Sequence, residues 1–546
     1  MKRDHDADDA DDTKRSDCDC VNIAGDDSGM HCDCEIDQAD DDARSDGFTD
    51  CKWESDDCYD GKVLLKELNK IYPQLQLDYD SVKGDCLKIY EEEKAKVKHF
   101  LRHMVGQISL SADILFHETT KGECCFFMSL AANFIDDGWN LKKWVLSFRR
   151  IFDGDCGCLD TAILKSLKDW ELEDKISSLT LLDSNAYDEV IEVVKAKVQE
   201  KKRLQLSGQL FRVNCCAEML SLMVQDAFKD ISKIIDKVQE LCWTKSSPLW
   251  YLTASKLRNA LELDSMGEFS RVCMDDLPST DEWRKVESVC KLVESTHNVA
   301  KMMFETKDPT ANIYLHNLQE LRTILTQDSI SSDSFSSKVA KKMLDRLDEY
   351  INDMFLVLAI ASVMDPCFKL QYIECYSSNF AESDGNSKVT LVLEAIRNLY
   401  DDYVKQDVES LSDSTSSSSK SEFPGSVDGA SGGPTWLKDH SQFVESINQP
   451  PKSQLDCYLE EPVVPLSQDF NALKWWKAKN PKYPILSKMA REILAIPVSI
   501  ATSYDAYYTE YREADLPVFG TEPDLRNAVV CTRNWLRGRS PHLSPI

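Results

Sequence analysis

The sequence predicts an α/β core with a mixed sheet, interrupted by an all-helical insertion and followed by a helical C-terminal module. Three observations carry this expectation. Between residues 108 and 202 the patterns run strand, strand, strand, helix, strand, helix. From Cys215 to about Phe368 apolar residues recur at helical spacing almost without a break. Composition also shifts, to Asp-rich at the start and to Ser/Gly-rich over residues 409–434, which marks segments unable to bury a core.

Residues 1–60 read as a disordered acidic arm, with 20 Asp and 2 Glu against 6 Lys and Arg. The arm carries −16 of the chain's −30 charge. Within it Cys18, Cys20, Cys32 and Cys34, with His31, form two Cys-x-Cys pairs. A one-residue gap brings two thiolates poorly to one tetrahedral ion, so the pairs read as part of a solvated tail before a metal site. Residues 61–104 turn helical: Leu64, Leu68 and Ile71 share a face, and Val82, Leu87, Tyr90, Val97, Phe100 and Leu101 continue at helical intervals.

Residues 105–212 form the first part of the core. Ile108, Leu110, Ala112, Ile114 and Phe116 alternate as one strand, Cys124–Phe134 is a second, and Asp136-Asp137-Gly138 turns into a third over Trp139–Ile151. An amphipathic helix (Leu159–Trp170), an apolar strand (Ile176–Leu182), a charged helix (Tyr187–Lys202) and a short strand over 204–212 follow. Residues 213–335 are the helical insertion. Residues 336–408 hold the helix Ser337–Val363, whose end, Met354–Met364, is a nearly continuous apolar run stopped by Asp365-Pro366. Residues 409–452 are a Ser/Gly-rich linker, and 453–540 regain order around Trp475, Trp476, Tyr483 and Trp535.

With 546 residues, 42% of them hydrophobic, the chain has material for several folded units. No apolar stretch opens it as a secretory signal would, and no run of about 18 apolar residues suggests a membrane span. Twenty cysteines without such a signal point to a reducing compartment, with Cys124, Cys125, Cys215 and Cys216 as buried thiols. A charge of −30 repels phosphate backbones, so any DNA contact must come from a local basic surface. The candidates are Lys142-Lys143, Arg149-Arg150, Lys201-Lys202-Arg203, Lys341-Lys342, and Arg533 with Arg537 and Arg539. Each reads first as a solvated face.

The C-terminal segment resembles the dimerisation region of plant hAT transposases. The resemblance rests on Ser453–Pro465 (SQLDCYLEEPVVP), Phe470–Trp476 (FNALKWW), Tyr483–Ser499 (YPILSKMAREILAIPVS) and Cys531–Leu536 (CTRNWL). Ala359–Leu370 is similar to the family's late RNase H-fold segment, Leu210–Leu222 to its Cys-Ala-His helix, and Ile108–Ile114 to the strand bearing its first catalytic Asp. The likeness covers roughly residues 85–540 with gaps and points to the Ricesleeper/Daysleeper type with its zinc finger BED relatives. It implies an RNase H-like core split by the helical insertion.

It also implies a site in which three carboxylates converge on divalent metal, Mg or Mn. The first acid matches Asp113, either a residual ligand or a strand polar residue kept by descent. The second position falls on Leu182 in Leu179-Thr-Leu-Leu-Asp183, leaving Asp183 displaced by one residue, which at a strand end points to the opposite face. The third falls on Tyr504, leaving Asp505 displaced by about 100° on a helix. The Gly-Gly-Arg element has become Glu510-Tyr-Arg512, Glu218 replaces the His of the Cys-Ala-His element, a Thr-Arg-Trp-Asn-Ser block is missing near 262–275, and no BED finger is readable.

The expectation is a transposase-derived protein that is no longer an enzyme, has lost its metal, and uses no cofactor and no small-molecule substrate. It self-associates as a homodimer through Trp475, Trp476, Tyr483, Leu486, Met489, Ile493 and Trp535, unless these close the chain's own core. DNA is a candidate partner, a membrane is not, and the resemblance implies the nucleus. The alternatives are an active metal-dependent transposase or nuclease, and a non-functional relic.

Overall fold

The computed structural model divides the chain into two units, Met1–Asp56 and Asp57–Ile546. The described residues are 70, 78–118, 124–151, 157–182, 187–234, 278–304, 310–377, 382–415, 452–467, 470–500 and 521–537, all in the second unit. The Cys-x-Cys pairs of the acidic arm, the stretch around Leu64 and Leu68, the missing block near 262–275, and Asp183, Tyr504 and Asp505 lie outside them.

Asp78 caps the first helix, α1 (Tyr79–His103), by accepting from the Ser81 amide at 3.0 Å. Strands β1 (Ile108–Glu118), β2 (Cys124–Ile135) and β3 (Leu141–Ile151) follow, then helix α2 (Gly157–Trp170), strand β4 (Ile176–Leu181), helix α3 (Asp188–Lys201) and strand β5 (Arg212–Asn214). The sheet order is β3-β2-β1-β4-β5. β1, β2 and β3 pair antiparallel, while β4 pairs parallel with both β1 and β5. This is the mixed sheet that the period change at Ile108 and the later strand–helix alternation predict.

The period-2 alternation sorts the two faces. Ile108, Leu110 and Ala112 of β1 and Leu179 and Leu181 of β4 are buried in one core with Val97 and Leu101 of α1, Ile163 and Leu167 of α2, and Val194 and Val198 of α3. Each such side chain contributes roughly 1.5–3 kcal/mol on burial. The other face is polar yet buried, through Ser109, Ser111, Asn133, Ser178 and Thr180. Buried polar groups need partners. The Asn133 side-chain amide donates to the Ser111 hydroxyl at 3.0 Å and the Ser109 carbonyl at 3.2 Å.

Beyond the sheet the described chain is helical: α4 (Cys216–Lys229), α5 (Thr280–Phe304), α6 (Asn312–Ser329), α7 (Ser334–Val363), α8 (Lys369–Ser377), α9 (Glu382–Thr415), α10 (Gln454–Glu460), α11 (Ala472–Lys479), α12 (Pro484–Leu494) and α13 (Pro523–Arg537). α4 through α12 share a second core, centred on the apolar end of α7. Cys215 and Cys216 are fully buried in it, as small apolar side chains would be. β5 ties sheet to helices: the Tyr350 hydroxyl donates to the Asn214 carbonyl at 2.9 Å.

Two expectations change. Residues 204–212 are not a strand. Leu206, Ser207 and Gly208 take φ of 46°, 54° and 83°, and this left-handed run forms a 3-10 turn over Gln205–Gly208 that no strand can contain. The strand begins at Arg212 and extends past the expected boundary to Asn214. The linker does not begin at 409, because α9 continues through Thr415. Serine is a modest rather than a forbidden helix residue, so an established helix propagates into it.

Candidate functional site

Asp113 lies in β1, paired with Ser129 of β2. It follows Ser109 and Ser111 on the polar face. On the parallel side Ser111 pairs with Thr180. Two residues further along β1 stands Asp113; β4 ends at Leu181, and Leu182 follows it outside the strand. Leu182 is half-buried and packs against the helical core. A hard divalent cation needs several oxygen ligands converging on it. Among the described residues, no group of three or more His, Cys, Asp or Glu stands where it could hold one.

The segment leading towards the third expected position is pinned over the same face. The Thr180 hydroxyl donates to the Pro497 carbonyl at 2.7 Å and the Cys216 amide to the Val498 carbonyl at 2.8 Å. Lys143 Nζ donates to the Ile500 carbonyl at 3.0 Å. Residues 495–500 thus cross the sheet beside the ends of β4 and β5, and the chain continues from there into the stretch containing Tyr504 and Asp505.

The residues expected to meet a second copy lie elsewhere. Trp476, Tyr483, Leu486, Met489, Ile493 and Trp535 are each no more than 2% exposed, and Trp475 is half-buried. Leu486, Met489 and Ile493 do line one stripe of α12, but the stripe faces the chain's own helical core. This corrects the expectation that they form a surface. A tryptophan at helical spacing reads the same whether it fills its own core or a partner's pocket.

What the C-terminal residues do is visible in their bonds. The turn after α7 acts as a hub for them. Tyr458 donates its hydroxyl to the Val363 carbonyl at 2.8 Å, Trp476 Nε1 to the Met364 carbonyl at 2.8 Å, and the Val464 amide to the Pro366 carbonyl at 2.9 Å. Lys369, at φ 51°, returns its ammonium to the carbonyls of Tyr458 at 2.6 Å and Glu461 at 2.7 Å. Burial pushes this lysine down to about 8. The runs Ala359–Leu370 and Ser453–Trp476 are therefore two halves of one clasp. At the other end, Trp535 stacks on Tyr90 with ring centroids 5.7 Å apart and donates to the Val145 carbonyl at 2.9 Å. Among residues of the C-terminal segment, large exposed hydrophobics are Val463, Leu466 and Leu536.

The basic spots are mostly engaged. Arg149 pairs with Asp169 at 3.1 Å, Lys342 with Asp230 at 2.8 Å, and Lys202 is held against Gln107 Oε1 at 2.6 Å. Sequence inspection passed over a denser group, Lys474, Lys477, Lys479 and Lys482, because tryptophans dominate that stretch. Among the described residues no helix is long and apolar enough to cross a membrane.

Comparison with known proteins agrees with this architecture. Residues 454–536 match the hAT family C-terminal dimerisation region, 312–403 the hAT-like transposase RNase-H fold, and 120–210 the ZBED1 RNase-like domain. The 312–403 match falls on α6 to α9, so in this chain that stretch supplies helices while residues 108–214 supply the sheet. The chain is 30% identical over 520 residues to zinc finger BED domain-containing protein RICESLEEPER 1 of Oryza sativa subsp. japonica, covering 86% of this chain and 70% of that one. It is 29% identical over 496 residues to DAYSLEEPER of Arabidopsis thaliana, covering 84% and 68%. It is 24% identical over 499 residues to the putative AC transposase of Zea mays, covering 82% and 59%. A mixed sheet in this strand order, a helical body clasped by the C-terminal segment, and these matches together establish that the chain belongs to the hAT transposase family.

Proposed function

We propose that this transposase-derived protein does not cut DNA, self-associates through its C-terminal region, and binds DNA in the nucleus. The observation that carries the first part is Leu182, directly after β4, where the resemblance puts the second acid. Hydrolysing a phosphodiester with two metals needs several acids around the ions, and Leu182 is an apolar side chain packed against the helical core. The match to a dimerisation region supports self-association. With the tryptophans buried, the partner-facing residues are the exposed Val463 and Leu466 of the extended stretch after α10. The BED zinc finger relatives support the nuclear, DNA-binding part of the reading.

A labelled duplex incubated with the purified chain and Mn²⁺ tests the first claim. Intact substrate is the expected result. Strand cleavage that disappears in Asp113→Ala would show that the acids are complete and the reading wrong.

A further inference from the structure

In a chain of net charge −30, one short surface is strongly basic. α11 and the turn after it carry Lys474, Lys477, Lys479 and Lys482. Lys474, Lys477 and Lys482 are exposed and Lys479 is half-buried. Among the described residues their ion-pair partner is Glu461, which lies 3.8 Å from Lys479 and also pairs with Lys482. Two of the four ammonium groups, those of Lys479 and Lys482, thus share one carboxylate. Burial is the main cause that lowers Lys369; among the charges Glu461 raises it, while Lys479 and Lys482 lower it.

The group is positioned rather than loose. Leu473 and Trp476, fully buried, anchor the inner face of α11 and so fix its outer face. Lys479 Nζ sits 5.3 Å from the Trp475 ring centroid, a cation–π contact that holds its stem against the helix. Lys477 donates to the Gly138 carbonyl at 3.0 Å, which joins α11 to the β2–β3 turn. Lys474 and Lys477, one helical turn apart, lie about 5–6 Å from each other at Cβ.

From this we infer that α11 and the following turn, through Lys474, Lys477, Lys479 and Lys482, form a docking surface for the phosphate backbone of duplex DNA. The ligand class follows from the charge geometry. The lysines are spread along one short helix and the turn after it, with Lys474 and Lys477 a turn apart, so they offer a series of single charges. A polyelectrolyte gains where a small anion does not, because each neutralised phosphate releases condensed counterions. Duplex DNA presents one charge per about 1.7 Å of axis, against about one per 3.3–3.6 Å for an extended fully acidic peptide, so DNA gains more from the same stripe. Lysine is a point charge without bidentate geometry, so binding follows charge and not base sequence. At physiological salt screening acts over about 8 Å, which lets this stripe act despite the acidic remainder of the chain. The inference deepens the DNA-binding part of the proposed function and rests on it.

The test is fluorescence-anisotropy titration of the full chain with a labelled mixed-sequence 20-bp duplex across a salt series. Four phosphate contacts give a log–log slope of about −3 to −4. The double variant Lys474→Ala/Lys477→Ala should bind at least tenfold more weakly and flatten the slope by about 2. The one bond lost, from Lys477 to the Gly138 carbonyl, lies at the surface, so the variant should stay folded with its melting temperature lowered only slightly. Lys338→Ala, which removes one exposed lysine from α7, should change neither affinity nor slope. A parent that binds no duplex overturns both this inference and the DNA-binding reading. A parent that binds, with the α11 variant unchanged or with the α7 variant losing as much, overturns this inference alone. If polyglutamate of equal charge displaces the duplex as readily as unlabelled duplex does, the surface belongs to an acidic protein and the assignment to DNA fails.

Discussion

The Val145 amide donates to the side-chain oxygen of Asn534 at 2.9 Å. Val145 lies on β3, the outer strand of the sheet, whose unpaired backbone groups would otherwise template association with another chain. The neighbouring Trp535 takes the Val145 carbonyl at 2.9 Å, and Asn527 takes the Phe148 amide at 2.8 Å. The last helix of the family's dimerisation region therefore seals the free edge of the sheet. Asn534→Ala should cost about 1–3 kcal/mol, since it leaves a part-buried donor unmatched, and should raise aggregation on mild heating. Urea denaturation and light scattering measure the two effects. An unchanged midpoint would show that the edge does not depend on this bond.

Trp476 and Val463 should separate folding from self-association. Trp476→Phe removes the donor to Met364 and part of a fully buried ring. A loss of about 1–3 kcal/mol in stability is expected, with the dimer constant preserved wherever the chain stays folded. Val463→Ser with Leu466→Ser should do the reverse, weakening self-association at least tenfold in sedimentation equilibrium while leaving the thermal midpoint in place. The opposite assignment of effects would return the tryptophans to the interface.

Lys369 sets an alkaline dependence. Burial lowers its folded pKa from 10.5 to about 8. Between those values the unfolded chain holds the proton and the folded chain does not, so rising pH favours folding through this group. The neutral amine keeps two N–H groups for the Tyr458 and Glu461 carbonyls. Relative to Lys369→Met, the parent should gain stability as pH climbs through the window, by at most about 3 kcal/mol. A difference that shrinks with pH would contradict the sign.

Glu492 gives the opposite case. It is buried, accepts from the Tyr403 hydroxyl at 2.5 Å, and burial raises its pKa above 4.5. The unfolded chain ionises first, so this group's contribution is present below pH 4.5 and is lost as pH rises through the folded pKa. Glu492→Gln should flatten the pH dependence of the melting temperature above 4.5 and stabilise the chain at neutral pH. Gly106, at φ 102° with a would-be Cβ 2.9 Å from Glu492 Oε1, should tolerate no side chain. Gly106→Ala is expected to cost about 1–3 kcal/mol, read by the same melts.

Much of the fold was legible because its signals are local. The alternation at Ile108–Ile114 reports one buried strand face, and the apolar run Met354–Met364 reports the centre of the helical body. The turn at Leu206-Ser207 was not legible, since left-handed backbone in residues with side chains is imposed by surroundings. The α9 extension past 409 was missed because serine-rich composition outweighed continuation of a helix already formed. Within the candidate site, the type of each residue could be read, whereas the company it keeps could not.

From residue types and spacing alone came the acid-rich composition of residues 1–60 and the order of strands and helices, and the resemblance added the family and a leucine where it implies an acid. Only the tertiary arrangement decided that Leu182 packs against the helical core, and that the C-terminal aromatics serve this chain's own clasp and sheet edge. The reason is physical. Hydrophobicity and hydrogen-bonding capacity belong to a residue wherever it sits, but the surface it covers and the group it satisfies depend on segments hundreds of positions away, brought together only when the chain folds.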